Sequence, residues 1–207
     1  MKKSLILAVL MIGAVAQAKS FSVGDNILCN KWEGKIEELY QKNEAKVKFY
    51  NNYTDGNVKP VDSTEVLNID HCLQQLPTDS KIGKLDIGSK DILACNKWIG
   101  EVVSVFEENT AKVKFTSNFN NGNEAGVSST EVLNIDHCNK QLPARTIIAN
   151  DITTGDSIMC NKWEGTVLNV FSSDLARVLF TANYVDGSKK TVSSTELLEI
   201  SHCNEKF

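Results

Sequence analysis

The cysteines and histidines of this chain are the residues whose pattern most directly indicates chemistry. Six cysteines form three pairs, the members of each pair lie 43 positions apart, and a histidine precedes the second member every time. Such residues can form disulfides or hold a soft metal ion such as zinc or copper(I). The pairs are Cys29 with Cys72, Cys95 with Cys138 and Cys160 with Cys203, and the histidines are His71, His137 and His202.

The pattern favours one disulfide within each pair, because the spacing is constant and exported domains are commonly disulfide-bonded. The alternative that stays open links neighbouring copies, Cys72 to Cys95 and Cys138 to Cys160. A metal site is disfavoured, since adjacent side chains on a strand point to opposite faces and the close Cys-x-x-Cys spacing of zinc sites is absent. We expect disulfides, no metal site and no cofactor, with each histidine capping the last strand by a hydrogen bond.

A serine, a glutamate and a histidine also recur in every copy, as Ser63, Glu65 and His71 in the first. Together they have the residue types of a hydrolase triad. The serine, however, lies where its hydroxyl would cap a helical turn, and no strained nucleophile elbow is present. A domain this small also offers little depth for an oxyanion hole. We therefore expect no catalytic residues and no enzyme activity.

Two aromatic positions per copy are the candidate ligand-binding residues. We expect one in the loop after the first strand and one in the loop after the third, at the same end of a small barrel. There they would form a wall for a sugar ring, an extended peptide or a cation. The alternative, which we favour, is that each tryptophan is a core residue that shields the disulfide. The six residues are Trp32, Tyr53, Trp98, Phe119, Trp163 and Tyr184, flanked by Asn52, Asn118 and Asn183.

These residues recur because the chain contains three copies of one unit. Cys-Asn-Lys-Trp occurs three times, and the three blocks from the first cysteine to the second align without a gap. Both linkers contain Gln-Leu-Pro, in which proline stops regular structure. The predicted domains are residues 21–76, 85–142 and 152–207, and the linkers run roughly from Leu73 to Leu85 and from Asn139 to Asp151.

Within a copy the apolar residues alternate with a period of two, which predicts strands. In the first copy, Lys35–Tyr40 and Ala45–Phe49 predict a hairpin, and Asp55-Gly56 predicts a tight turn. A short strand around Val61 follows. Ser-Thr-Glu at Ser63 then predicts one helical turn, and the last predicted strands are Val66 to Ile69, Val132 to Ile135 and Leu197 to Ile200.

About five short strands with one helical turn before the last is the order of an SH3-like small barrel. Gly-Asp, a tryptophan just after the first strand, Gly-x-(Ile/Val) and Val-x-Phe resemble the Tudor/Agenet branch of SH3-like domains. The resemblance covers all three copies, although the cysteines and the His-Cys end are not part of that family's pattern. It implies an all-β chain of three tandem SH3-like five-stranded small barrels, each with one intradomain disulfide.

The first 18 residues predict a secretory signal peptide. Lys2 and Lys3 precede an apolar run from Leu5 to Val15, which is shorter than the roughly 20 residues of a membrane-spanning helix. Ala-Gln-Ala follows and predicts cleavage after Ala18. We expect no membrane insertion after cleavage and a periplasmic or secreted bacterial protein.

The remaining charge is scattered and acidic, at about −6 without the two leader lysines. This disfavours nucleic acid and anionic lipid as partners, because both need concentrated basic surface. The leading hypothesis is an exported, non-catalytic multivalent binding protein of the cell envelope, whose ligand is peptidoglycan, another glycan or a peptide. The alternatives are a scaffold that binds an envelope protein and, less favoured, a Cys/His metal-binding protein.

Overall fold

In the computed structural model the chain is all-β and forms three five-stranded antiparallel sheets, one from each repeat. The structure describes residues 19–54, 56–120 and 123–205. The predicted signal peptide, Asp55 and Asn121-Gly122 lie outside these ranges. The corresponding turn of repeat 3 is described, and both Asp186 and Gly187 have the positive φ that this turn type requires.

The strands follow one another in the same way in each repeat. Repeat 1 contains β1 (Asn26–Cys29), β2 (Trp32–Leu39), β3 (Glu44–Thr54), β4 (Asn57–Asn68) and β5 (Leu73–Gln74). Repeat 2 contains β6 (Ile92–Cys95), β7 (Trp98–Phe106), β8 (Thr110–Asn120), β9 (Asn123–Asn134) and β10 (Cys138–Lys140). Repeat 3 contains β11 (Ser157–Cys160), β12 (Trp163–Val170), β13 (Leu175–Val185), β14 (Ser188–Glu199) and β15 (Cys203–Glu205). In repeat 1 the spatial order is β4-β3-β2-β1-β5, and the other two repeats have the equivalent order.

The predicted hairpin is confirmed as β2 and β3, and irregularities in its pairing bend the sheet. The register shifts between Glu33 and Gly34, between Ile36 and Glu38, and between Phe49 and Asn51. Each bulge increases the local twist and lets the strands curve around one side. The apolar residues on that side form the core of the repeat.

The helical turn predicted at Ser63 is wrong, as are those at the equivalent serines. Ser63 lies within β4, where it pairs with Phe49. The long ladder between β3 and β4 therefore outweighs the local capping signal, and the two short strands expected around Val61 and Val66 are one strand of 12 residues. The fifth strand is β5, in a segment predicted to be linker. A turn precedes it, closed by the Cys72 N–H donating to the Ile69 carbonyl at 2.9 Å.

The three disulfides lie within the repeats, as predicted, and exclude the pairing between neighbouring copies. They join Cys29 to Cys72, Cys95 to Cys138 and Cys160 to Cys203. Each links the end of the first strand to the first residue of the last strand or, in repeat 1, to the residue directly before it, with the two Cα atoms 4.3 Å apart. A crosslink closing a loop of this length stabilises the fold by about 4 kcal/mol through the lost entropy of the unfolded chain.

Repeats 1 and 2 meet through an apolar junction. Phe106, the last residue of β7, is fully buried against Leu28 and Tyr53 of repeat 1. The chain leaving β5 continues onto the same strand, because the Leu76 N–H donates to the Val105 carbonyl at 2.9 Å. The linker is thus part of the junction and fixes how the two repeats meet.

Repeats 2 and 3 use the equivalent residues. Phe171, at the position of Phe106, is buried against Ala94 and Phe119 of repeat 2. The Leu142 N–H donates to the Val170 carbonyl at 2.8 Å, as Leu76 does in the first junction. Each repeat therefore packs head to tail on the next through one recurring arrangement.

Substitution of the glycine in the second strand of each repeat should lower the stability of the protein. A Cβ at Gly100 would lie 2.7 Å from the Lys114 carbonyl oxygen and 2.9 Å from Phe115, whereas one at Gly126 would meet nothing within 4 Å. We expect Gly100→Ala to lower the free energy of unfolding by about 1–3 kcal/mol through overpacking. Gly126→Ala, in the same repeat, should leave it unchanged or slightly higher. Urea unfolding of both variants measures the difference, and equal midpoints would contradict this account.

Candidate functional site

Each tryptophan begins the second strand of its repeat, directly opposite the first disulfide cysteine. In repeat 1, Asn30 and Lys31 both have positive φ and form the tight turn that places Trp32 across from Cys29. The indole packs edge-on against Phe49, with ring centroids 5.8 Å apart, and the other repeats have the same contact. Trp32 is nevertheless 36% exposed. The ring therefore covers one end of the core and also presents a surface to solvent.

The second aromatic position does not share that surface. Trp32 pairs with Asn52 across the hairpin, so Tyr53 lies on the opposite face of β3. Tyr53 and Phe119 are buried in the two junctions, while Tyr184 is partly exposed. The structure therefore does not bring the two aromatic residues of a repeat into one wall, because the expected loop is a continuation of β3.

A small cavity of about 200 Å³ adjoins the tryptophan of repeat 3. Every residue that lines it has the same type at the equivalent positions of repeats 1 and 2. The lining residues are Cys160, Asn161, Trp163, Phe180, Glu196, Leu198 and His202. Their counterparts are Cys29, Asn30, Trp32, Phe49, Glu65, Leu67 and His71, and Cys95, Asn96, Trp98, Phe115, Glu131, Leu133 and His137.

Folding accounts for four of the seven lining residues. The cysteine forms the disulfide, the phenylalanine and leucine pack in or against the core, and the asparagine adopts the positive φ of the turn. Folding does not account for the glutamate, the histidine or the exposed part of the tryptophan. His202 is exposed, and among the described residues Glu196 accepts one long hydrogen bond, of 3.4 Å, from Ser194 in the same strand. We call Trp163, Glu196 and His202, with their counterparts, the Trp–Glu–His set.

A neighbouring asparagine adds a polar group to the same face. Asn118 and Asn183 pair with Trp98 and Trp163 across the hairpin, so their side chains share the face of the tryptophan. The Oδ1 atoms of both are buried and accept no hydrogen bond from the described part of the chain. A buried acceptor without a donor costs about 1–3 kcal/mol, and a ligand would reach these two oxygens only if the surrounding side chains moved.

The arrangement does not provide a metal site or a serine nucleophile. Ligand atoms of Cys29, His71 and Cys72 lie within 4.8 Å of one another, but the two sulfurs are bonded to each other and are not thiolates. Ser63 Oγ donates to Glu65 Oε1 at 3.3 Å rather than to His71, whose Nε2 lies 3.9 Å from Cys72 Sγ. The turn before the last strand is closed by a backbone hydrogen bond, and the described residues show no histidine hydrogen bond that caps this strand.

The junction between repeats 1 and 2 contains a buried ion pair that the sequence did not reveal. Glu33 is 2% exposed and lies 2.7 Å from the Lys112 ammonium of repeat 2. Tyr53 and Asn51 also donate to the Glu33 carboxylate. Burial alone would raise the pKa of Glu33, but the hydrogen bonds from Lys112, Tyr53 and Asn51 outweigh it and lower the pKa below 4.5. Lys112 also lies over the Tyr53 ring, 5.7 Å from its centroid.

Comparison with known proteins gives no family for this chain. No family model matches it, and the search of curated proteins found no similar protein. Among the residues that the structure describes, no helix is long and apolar enough to span a membrane.

The Glu33–Lys112 ion pair predicts that loss of the lysine destabilises the first junction. Lys112→Met leaves the Glu33 carboxylate buried without its cation, and we expect the free energy of unfolding at neutral pH to fall by about 3–5 kcal/mol. Lys46→Met is the matched control, because Lys46 occupies the equivalent position in repeat 1 and its ion pairs within the described residues are with exposed Glu37 and Glu38. Its unfolding midpoint should match the wild type. Urea unfolding at pH 7 compares the two variants.

Acidification should remove the stabilisation that the Glu33–Lys112 ion pair gives the wild type. The folded-state pKa of Glu33 is lowered, so its contribution is fully present above about pH 4.5 and is lost as the pH falls through the folded pKa. The Lys112→Met variant should therefore lose less stability on acidification than the wild type. Adding Glu33→Ile and Tyr53→Phe, the residue types of repeat 2 at Ile99 and Phe119, should restore the midpoint of that variant. Equal stability of Lys112→Met and wild type at neutral pH would contradict the pairing.

Proposed function

We propose that this is an exported, non-catalytic binding protein of the cell envelope, with one ligand site per repeat at the Trp–Glu–His set. One observation carries the proposal: the residues around the repeat 3 cavity recur unchanged in all three repeats, while the junction residues have diverged. Glu33, for example, is replaced by Ile99 in repeat 2, although both positions are buried. Residues kept where folding does not require them indicate a function that all three repeats share.

The chemistry of the set suits a glycan, with peptidoglycan as the preferred example. A half-exposed indole offers an apolar face to a sugar ring, and the carboxylate and imidazole offer hydrogen-bonding groups for its hydroxyl and amide groups. A cavity of about 200 Å³ is smaller than the sites that enclose drug-sized ligands, which start at roughly 300 Å³. It would hold one ring or side chain of a longer glycan or peptide.

Three weak sites on one chain support binding to a polymer. Linking sites converts later contacts into intramolecular ones, so avidity exceeds the affinity of any single site. The junctions hold the repeats in a defined arrangement, which lowers the ordering cost of engaging several sites. This argument favours a repetitive envelope polymer over a small soluble ligand.

The SH3-like barrel and the location belong to the same proposal. The strand order β4-β3-β2-β1-β5 and the bulged second and third strands support a small barrel of the SH3-like kind. Three disulfides are consistent with an oxidising compartment outside the cytosol, such as the bacterial periplasm or the medium.

A scaffold that binds another envelope protein is the second candidate. The observation in its favour is that β4, β9 and β14 are long edge strands of their sheets. An extended segment of a partner could add to such an edge through backbone hydrogen bonds. This candidate does not require the Trp–Glu–His set.

Co-sedimentation with isolated peptidoglycan sacculi tests the first proposal. The wild type should pellet with sacculi, and a triple variant carrying Trp32→Ala, Trp98→Ala and Trp163→Ala should stay in the supernatant. Single Trp163→Ala should lose more than a third of the apparent affinity, because each site contributes to the avidity. Circular dichroism establishes that each variant is folded.

A second triple variant separates binding from packing, since the tryptophans also contact the core. His71→Ala, His137→Ala and His202→Ala change exposed side chains only, and we expect this variant to fold normally and bind more weakly. Ile147→Ser, which removes a 67% exposed apolar residue in a linker, is the control and should bind like the wild type. Undiminished pelleting of both triple variants would exclude the Trp–Glu–His set, and absence of wild-type pelleting would exclude peptidoglycan.

A further inference from the structure

Within the part of the chain that the structure describes, head-to-tail packing leaves one junction surface of repeat 1 and one of repeat 3 uncovered by another repeat. Each junction joins the leading face of one repeat to the receiving face of the repeat before it. The leading face of repeat 1 consists of Leu39, Tyr40 and Val66, which are equivalent to Val105, Phe106 and Val132 of repeat 2. The receiving face of repeat 3 consists of Met159, Glu164 and Tyr184, which are equivalent to Leu28, Glu33 and Tyr53 of repeat 1.

The leading face of repeat 1 is an exposed apolar surface. Leu39, Tyr40 and Val66 are 38%, 45% and 62% exposed. The residues equivalent to Tyr40 in the other repeats, Phe106 and Phe171, are 0% and 1% exposed, because the preceding repeat covers them. Repeat 1 thus has the same apolar group without a described repeat in front of it.

The receiving face of repeat 3 is open in the same way. Tyr184 and Met159 are partly exposed, whereas Tyr53 and Leu28 are buried under Phe106. Tyr184 remains hydrogen-bonded to Glu164 at 2.6 Å, which repeats the Tyr53–Glu33 pair of the first junction. Repeat 3 therefore keeps the polar residues that receive a lysine in the first junction.

The two faces carry the charged residue types of the first junction. In the first junction, the Glu33–Tyr53 pair binds Lys112 of the following repeat. The residue of repeat 1 equivalent to Lys112 is Lys46, which lies on the same end as the leading face. The second junction differs from the first. In repeat 2, Ile99 and Phe119 replace the glutamate and the tyrosine, and Arg177 of repeat 3 binds Glu124 of repeat 2. The ends of the chain thus match the first junction rather than the second.

We propose that the receiving face of repeat 3 binds the leading face of repeat 1 of a second copy, so that chains join head to tail. Tyr40 would occupy the place of Phe106, and Lys46 would pair with Glu164 as Lys112 pairs with Glu33. The contact is heterologous, because it joins two different surfaces, and repetition of such a contact extends into an open chain unless its rotation closes a ring. The occupant is a second copy because the contact continues the junction that the chain already forms twice.

Lys46 and Glu164 each have another ion-pair partner in the single chain. These pairs must be given up when two copies associate. Lys189 of β14 lies 3.1 Å from Glu164 and over the Tyr184 ring, and Lys46 pairs with Glu37 and Glu38. Association exchanges these pairs, whose lysines are in contact with solvent, for a buried one. Ion pairs in contact with solvent contribute little to stability, so they do not prevent the exchange. The contact between copies also lacks the linker that raises the effective concentration within the chain, and it is therefore weaker than the internal junctions.

Two variants that each block one end test this model. Tyr40→Asp places a charge on the leading face, and Met159→Asp places one on the receiving face. Sedimentation velocity of the mature protein, from micromolar to millimolar concentration, measures the assembly state. We expect the wild type to form species larger than a dimer as the concentration rises, and each variant alone to remain monomeric.

Mixing the two variants gives the decisive result. Each retains one intact face, so an equimolar mixture should form dimers of twice the monomer mass and nothing larger. Ile147→Asp, a charge at an exposed linker position outside both faces, should assemble like the wild type. Circular dichroism of the variants excludes unfolding as the cause of a monomer. A wild type that stays monomeric throughout, or a variant mixture that does not form dimers, would overturn the proposal.

Discussion

The pairing of the first strand of each repeat with its last, fixed by a disulfide, is the constraint on which the rest of the structure depends. A unit of this size buries too little surface to be robust alone, and the crosslink offsets part of the entropy of folding. The same crosslink positions the candidate site. Trp32 lies directly opposite Cys29 across the two-residue turn, and His71 adjoins Cys72. The disulfide that stabilises the fold therefore also keeps the tryptophan and the histidine close to each other.

The junctions are the second level of organisation, and they allow more variation than the sites. Each repeat contacts its neighbours through one recurring arrangement, so stability is approximately a sum of repeat and junction contributions. At the centre of the first junction, Glu33 forms a buried ion pair with Lys112 and accepts a hydrogen bond from Tyr53, whereas Ile99 and Phe119 give an apolar contact in the second. Apolar replacement of a buried pair is often neutral in stability. Two solutions can therefore occupy the same place, while the Trp–Glu–His set has not varied.

The sequence predicts the elements that have a local signal. It does not predict the elements whose conformation depends on pairing between strands. The repeats, the β2–β3 hairpin and the disulfides follow from spacing and alternation. Ser-Thr-Glu at Ser63 has the local signal of a helix cap, but the ladder to β3 keeps it extended. The face of Tyr53 also depends on pairing, because β3 continues through a bulge to Thr54. A bulge changes which side chains share a face of the sheet, and the residue types at the bulge do not predict it.

The candidate site was partly within reach of the sequence. Comparison of the repeats identifies Glu65 and His71 as invariant, although only the structure brings them to the tryptophan. Trp32 and Tyr53 lie on opposite faces of the hairpin, so the tryptophan surface is separate from the face that packs on the next repeat. The glutamate position of repeat 2 is not separate from the first junction, because Glu131 lines a cavity with Tyr53 and Gly56 of repeat 1, and Ser129 donates to the Gly56 carbonyl at 2.7 Å. Joining copies end to end would then add binding sites without covering those already present, except at the glutamate position of each new junction.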